Sequence, residues 1–414
     1  MIGYIHVPIS NLQSPVTNHQ KVYPDLSYIL HSVFGTEVDN GFSVVKTFGL
    51  LLALAILSSA YFLNLELKRK EREGIFQPNT IQRVIGAPAS IGELLINALF
   101  GFIFGFKLLY AFQHFDEFKL DAPGVLFSSK GNLIGGILGA LILAGLKYWE
   151  KQKDALPKPT TENIKMLPSD RLGDITLIAA FTGILGAKFF AIFEDLDNLQ
   201  GGNFFEILLS GSGLAIYGGL IGGTIGVIWY LRRNNIRILP FADAIAPALI
   251  MGYLVGRLGC QLSGDGDWGI VNTAPTPSWW FLPDWLWSYT YPQNVLNQGV
   301  PIDGCVGHYC RELAQGVYPT PVYEMVMSGI IFLILWALRK RLKVHGMLMC
   351  VYLMLNGVER YWIEKIRVNA RYDNFFGFQP TQAEIIAVLF FLAGAIGYLI
   401  LRNRGNKVSP SLQA

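Results

Sequence analysis

Nine stretches of the chain are apolar over roughly the length that crosses a bilayer, near residues 42–65, 91–114, 131–149, 173–193, 213–231, 239–262, 321–338, 346–365 and 383–401. A spanning helix needs about 20 mostly apolar residues, so the pattern predicts an all-α polytopic membrane protein. About nine transmembrane helices would form one bundle over residues 42–402, with an aromatic-rich outer loop region. The fourth and eighth stretches have the least sharp ends, because both carry charges. The polar interval 263–320 is rich in Trp279, Trp280, Trp285, Trp287, Tyr289 and Tyr291. Such rings gather at headgroup level, so this interval reads as an interfacial cap rather than a separate soluble domain. The stretch 152–170, with Pro157, Pro159 and Pro168, reads as a linker. No internal repeat is evident, which argues against an inverted-repeat transporter.

Basic residues set the expected orientation. They cluster after the first stretch (Lys68, Arg69, Lys70, Arg72, Arg83), the third (Lys147, Lys151, Lys153, Lys158, Lys165, Arg171), the fifth (Arg232, Arg233, Arg237), the seventh (Arg339, Lys340, Arg341, Lys343) and the ninth (Arg402, Arg404, Lys407). The intervening loops hold few. The segment 1–41 should therefore lie outside and the tail 403–414 in the cytoplasm. No basic segment followed by an apolar one opens the chain, so no cleaved signal peptide is expected.

Composition agrees: 52% of the 414 residues are hydrophobic and 15% charged, against about 25% charged in soluble domains. The expected partner is the bilayer, not nucleic acid. The four cysteines (Cys260, Cys305, Cys310, Cys350) lack zinc-type spacing, and neither metal nor cofactor is expected. Cys305 and Cys310 would close a small disulfide if their loop faces an oxidising compartment, and stay as two thiols otherwise.

Intramembrane charge marks the candidate chemistry, because each such group costs about 2.5–3.5 kcal/mol to insert. The first constellation ends the sixth stretch: Asp243 to Pro247, then Gly256-Arg257-Leu258-Gly259-Cys260-Gln261-Leu262-Ser263 and an acidic turn with Asp265, Asp267, Trp268 and Gly269. Arg257 lies about one turn inside the outer leaflet; it either snorkels to headgroups or binds substrate. Asp265 and Asp267 are either solvated turn residues, orienters of Arg257 or general bases. The second is Pro319 to Glu324, a helix entry that puts Tyr323 and Glu324 near the outer interface. The third is Arg360, Glu364 and Arg367, whose spacing of four and three shares one helix face. Two arginines facing one cavity suit a phosphate, since guanidinium offers a planar fork to its oxygens. In the fifth stretch, Gly211 to Gly223 includes Tyr217, Gly218 and Gly219. These glycines either let helices pack closely or open space beside Tyr217 for a lipid or peptide. Gly131, Gly135, Gly136 and Gly139 are read as packing only.

These three constellations, in this order, resemble the prolipoprotein diacylglyceryl transferases. Gly218-Gly219, the Pro319–Glu324 element, the Arg360–Arg367 helix and a first helix near Phe48 are similar to further family elements. The resemblance covers residues 42–66 and 173–402, and leaves 85–150 as two added helices. It implies transfer of a diacylglyceryl group from phosphatidylglycerol to the lipobox cysteine thiol of a prolipoprotein, in the bacterial cytoplasmic membrane. It implies a clamp of Arg257 and Arg360, with Glu364 and an acid before the tryptophan, Asp265 or Asp267, holding the guanidiniums, and Gly269 after it. Gly218, Gly219, Cys260, Ser263, Tyr323, Glu324 and Phe48 are the further substrate-binding candidates. The chain departs from the family pattern at Tyr217 (usually His), Cys260 and Ser263 (usually Asn), Phe48 (usually Tyr) and Lys188 (usually Arg). The thiol proton would pass to an aspartate or to Tyr217. A non-catalytic lipid- or lipoprotein-binding subunit and a transporter are the alternatives. An intramembrane serine protease built on Ser212 is disfavoured, because no histidine lies within a later span. A monomer is expected.

Overall fold

The structure is a computed structural model that describes residues 22–120, 122–194, 215–369, 371–372 and 379–408. The Gly211-Ser212-Gly213 element lies outside these residues. Twelve helices occur among them: α1 (Leu26–Phe34), α2 (Thr47–Arg72), α3 (Ile91–Gln113), α4 (Phe115–Leu120), α5 (Ala122–Phe127), α6 (Leu133–Lys153), α7 (Leu172–Glu194), α8 (Ile216–Arg233), α9 (Ile238–Ser263), α10 (Thr320–Leu338), α11 (Met347–Glu364) and α12 (Gln382–Val408). Seven of the segments, those built on α2, α3, α6, α7, α9, α10 and α12, are long and apolar enough to cross a membrane. The chain is a polytopic, helical membrane protein. The expected count of nine is not reached on that criterion. α8 and α11, of 18 residues each, form where spans were expected but are less apolar than the other seven. Glycines and two terminal arginines dilute α8, and Glu359, Arg360 and Glu364 dilute α11.

The chain divides into two compact units. One comprises Met1–Leu54, Tyr253–Ser328 and Gly357–Val388. Here α1 is capped by the buried Asp25, whose Oδ1 accepts from the Ser27 backbone N–H at 3.0 Å and the Ser27 hydroxyl at 2.6 Å. α1 packs under the loop of residues 305–310: the Tyr28 hydroxyl accepts from Tyr309 N–H at 3.2 Å, and Asp39 accepts from His308 N–H at 2.6 Å. Cys305 and Cys310 form a disulfide. The interval 264–319 folds over a small core of Val22, Tyr289, Tyr291 and Val317, with Trp268, Trp285 and Leu313 against it. A two-residue antiparallel ladder joins β3 (Val300–Pro301) to β4 (Arg311–Glu312).

The other unit comprises Ala55–Gly252, Gly329–Asn356 and Leu389–Ala414. Its core gathers Leu63, Leu67, Ile175, Leu231, Phe241 and Ala244. α3 and α6 pack face to face through Gly101, Gly105, Gly135 and Gly139, where a Cβ would collide with the facing backbone. Close approach of this kind maximises van der Waals contact where lipid offers no hydrophobic drive. α3 starts on a capping box, with Ser90 Oγ accepting from Glu93 N–H at 3.2 Å and Glu93 accepting from Ser90 N–H at 2.9 Å. Outward side chains of the pair (Leu99, Phe104, Leu108, Leu141) are more than half exposed, as a lipid-facing surface requires. α7 and α8 pack by the same device at Gly186, Gly218 and Gly222. Asp243 on α9 is buried and accepts from Gly346 N–H at 2.7 Å and Met349 N–H at 3.1 Å. It serves the orphan donors and positive end of α11.

The linker expectation for 152–170 needs correction. Thr160–Met166 is strand β2, paired antiparallel with β1 (Asn79–Ile85), Asn79 opposite Met166 and Ile85 opposite Thr160. Thr80, Ile81, Val84, Thr160, Thr161 and Ile164 are β-branched, which favours the pleated conformation. The prolines lie just outside the strand, where a missing N–H costs no ladder bond.

Candidate active site

α9 carries Arg257 near its end. The helix stops because Gly264 and Gly266 take positive φ (62° and 97°), which suits residues without a Cβ. That turn folds the acidic residues back over the helix end. The Asp267 carboxylate pairs with Arg257 Nη1. Asp267 N–H donates to Asp265 Oδ1 at 3.2 Å. The chain then crosses two neighbouring segments: Gly269 N–H donates to Tyr318 O at 2.9 Å and Ile270 N–H to Ile366 O at 2.8 Å. A Cβ on Gly269 would lie 2.6 Å from Ile366 O, so this crossing admits only glycine. The bridge between Gly269 and Arg367 delivers Arg367 to the cluster.

Arg367 closes a ring of alternating charge. Its Nη2 lies 2.6 Å from Asp267 Oδ1, and its Nη1 lies 3.1 Å from Glu324 Oε1. Glu324 Oε2 lies 2.7 Å from Arg257 Nε, and Arg257 returns to Asp267. Arg360 joins at 3.5 Å from Glu324 and 2.9 Å from Glu364. Glu364 also accepts from Asn369 Nδ2 at 2.6 Å. Glu324 and Glu364 are fully buried. Their charge is tolerable only because guanidiniums surround it. The Tyr253 ring lies beneath Arg257, 5.0 Å from the guanidinium carbon to the ring centre, a cation–π contact.

The two aspartates of the turn differ. Burial pushes the Asp267 carboxyl up, but Arg257 and Arg367 together outweigh it and hold it down at about 2. Burial, and then the charge of Asp267, push Asp265 up. Asp267 is thus a permanent counter-ion and a weak proton acceptor. The donor atoms of Cys260, Asp265 and Asp267 lie within 4.8 Å of one another, a grouping the linear spacing does not reveal. Arg257 Nη1 lies 3.7 Å from Cys260 Sγ, so a guanidinium already supplies the positive charge beside these groups. Arg360 is held by Glu364 and Glu324, and its side chain keeps 21% exposure.

The structure brings together Arg257, Arg360, Glu364, Glu324, Cys260, Asp265, Asp267 and Gly269. It corrects several expectations. Glu324 is the central counter-charge of the ring, because α10 enters from Thr320, whose hydroxyl donates to Asp267 O at 2.7 Å. The shared-face argument holds for Arg360 and Glu364 only, since α11 ends at Glu364 and Arg367 arrives through the following turn. Tyr323 points away to the cap, donating to Leu286 O at 2.6 Å. The Ser263 hydroxyl is buried and donates to Gly259 O within its own helix at 2.8 Å. Phe48 borders the Cα face of Gly259. Gly218 and Gly219 face α7: a Cβ on Gly218 would collide with Gly186 O and Phe190, whereas one on Gly219 would meet Ala187 and Gly183 at ordinary contact distance. Tyr217 heads the same helix, in the second unit. Sequence reasoning missed Tyr253, Glu359 and Asn369 as members of the cluster. For Tyr253, the i, i+4 spacing to Arg257 was the available signal.

Comparison with known proteins converges on one family. The sequence model of the prolipoprotein diacylglyceryl transferases matches residues 152–400, a span that contains the whole charged ring. A phosphatidylglycerol–prolipoprotein diacylglyceryl transferase of Leptospira interrogans is 24% identical over 348 residues, 84% of this chain and 77% of the relative. Relatives with the same name from Oceanobacillus iheyensis (28% over 240 residues, 58% of this chain and 75% of the relative) and Corynebacterium glutamicum (29% over 252 residues, 58% and 73%) are similar. With the matched span enclosing Arg257, Glu324, Arg360 and Arg367, the chain belongs to the prolipoprotein diacylglyceryl transferase family.

Proposed function

We propose that this chain is a phosphatidylglycerol–prolipoprotein diacylglyceryl transferase and that Arg257 and Arg360 clamp the phosphate of phosphatidylglycerol. The observation that carries the reading is the closed ring of Arg257, Asp267, Arg367 and Glu324 with Arg360 at its open edge. Carboxylates hold the guanidiniums in place before substrate arrives, so little reorganisation accompanies the reaction. The acceptor thiolate attacks the glyceryl carbon that bears the phosphate. The C–O bond breaks, its electron pair stays on the phosphate oxygen, and glycerol phosphate leaves with one more negative charge. The arginines stabilise that growing charge.

The same reading places the enzyme in the bacterial cytoplasmic membrane, with the N-terminus outside and the C-terminus in the cytoplasm. The alternation of basic loops supports this, and so does the disulfide of the 305–310 loop, since disulfides persist on the oxidising side. Trp279 and Phe281, 67% and 90% exposed, support an interfacial role for 263–320. One chain supplies every ring residue, which supports a monomer. Residues 85–150 act as an added hairpin outside the transferase core.

The test is transfer of a labelled diacylglyceryl group from phosphatidylglycerol to a lipobox peptide. Removing a single oxyanion-stabilising donor costs about 10²–10³ in kcat, and Arg257→Ala and Arg360→Ala should each lose at least that much. A folded chain that binds the lipid but transfers nothing would reject the enzyme reading.

A further inference from the structure

The ring accounts for three arginines and three carboxylates, and leaves one buried acid beside it unexplained. Glu359, on α11 next to Arg360, is 4% exposed. Among the described residues its buried Oε2 meets no hydrogen-bond donor, and its one polar contact is the Tyr253 hydroxyl, 3.5 Å from Oε1. No cation lies within ion-pair distance of it among the described residues, although Arg257 and Arg360 are both close enough for their charge to bear on it. An unsatisfied carboxyl at this depth is costly, and an apolar residue such as Leu would avoid that cost.

Resting on the transferase reading, we infer that Glu359 takes up the acceptor thiol's proton through the Tyr253 hydroxyl. The Tyr253 ring lies against the clamp guanidinium of Arg257, and this contact ties the Tyr253–Glu359 pair to the clamp. Glu359 acts through Tyr253. As the thiol S–H bond breaks, its proton moves to Tyr253 Oη and the phenolic proton moves to Glu359. The sulfur electron pair forms the S–C bond, and the C–O pair departs with the phosphate. Charge and protons balance without any further reactant. The other candidates are committed elsewhere. Asp267 is locked between two arginines, and Glu324 and Glu364 hold arginines. Asp265 accepts from the Asp267 backbone beside the Cys260 thiol. The ionisable groups facing Glu359 are Tyr253 and Arg257 from α9, Glu324 from α10 and Arg360 on its own helix.

The experiment is the pH profile of kcat, with KM for phosphatidylglycerol, for the intact chain, Glu359→Gln, Glu359→Asp, Tyr253→Phe and Asp265→Asn. General-base groups contribute about 10²–10⁴-fold. Glu359→Gln should lose at least about 100-fold in kcat with KM and melting temperature held, and should lose the limb in which kcat rises with pH. Glu359→Asp should recover part of the rate with a displaced limb, and Tyr253→Phe should resemble Glu359→Gln. The inference is overturned if Glu359→Gln keeps the wild-type limb, if the limb moves with Asp265→Asn instead, or if losses follow melting temperature and KM. An intact chain that transfers nothing rejects the transferase reading, and this inference with it. Wild-type transfer with an unaltered Glu359→Gln profile rejects the inference alone.

Discussion

A charged side chain at membrane depth survives only with partners, and at Glu324 three arginines supply them. Breaking a buried pair by removing one partner typically costs about 3–5 kcal/mol, because the others are left uncompensated. Glu324→Gln should therefore lower stability by that order, read as a drop in melting temperature in detergent, and should abolish transfer. Asp267 behaves differently. Its carboxyl sits near 2, below the ordinary value of about 3.9. A depressed acid adds stability above the ordinary value, and loses it as pH falls through about 2. It therefore stays charged across the working range. Asp267→Asn should reduce transfer uniformly between pH 5 and 9, leaving the shape of the pH profile unchanged. A shifted limb in that variant would contradict its role as a fixed counter-ion.

At the scale of elements, the site is assembled by a helix end, a turn and a backbone crossing. Gly264 and Gly266 turn the chain, and Gly269 lets it pass Ile366. Gly269→Ala puts a methyl 2.6 Å from a carbonyl oxygen and should displace Arg367. The expected outcome is a loss of transfer of at least tenfold with helix content unchanged by circular dichroism. The strand pair makes a second prediction. Ile85 and Thr160 are direct partners, so the ends of the α3–α6 segment meet. Replacing residues 86–159 by Asn-Gly converts β1–β2 into a hairpin with a favoured two-residue turn. No ring residue lies in the deleted part, and the shortened chain should insert into membranes and retain transfer. Loss of transfer in a folded deletion would show that the hairpin takes part in the reaction.

For the whole molecule, orientation is the property to measure. If residues 305–310 face the outside, a membrane-impermeant thiol reagent should label Cys305 and Cys310 in intact cells only after an impermeant reductant has opened the disulfide. A cysteine placed at Lys340, in the basic cluster after the seventh apolar stretch, should stay unlabelled until the membrane is permeabilised. The reverse pattern would invert the topology and remove the site from the side on which lipobox substrates are met.

Hydrophobic periodicity and basic loops were enough to identify a polytopic helical membrane protein, and intramembrane charge was enough to single out Arg257 and Arg360, which the structure gathers at Glu324. Both rest on local properties: a helix long enough to span satisfies its own backbone, and an arginine inside it demands a partner. The partners themselves were not legible. Glu324 looked like an interfacial residue, and only the packing of α10 beside the Asp267 turn makes it the centre of the ring. Arg367 lies past the end of its helix and is delivered by pairing with Gly269, nearly a hundred positions earlier in the chain. Gly218 allows both a packing and a binding reading from sequence, and only the structure puts Gly186 and Phe190 of α7 against it. Tyr253 and Glu359 come from helices a hundred residues apart. Such meetings depend on which faces pack and where a turn reverses the chain, and linear spacing does not encode either.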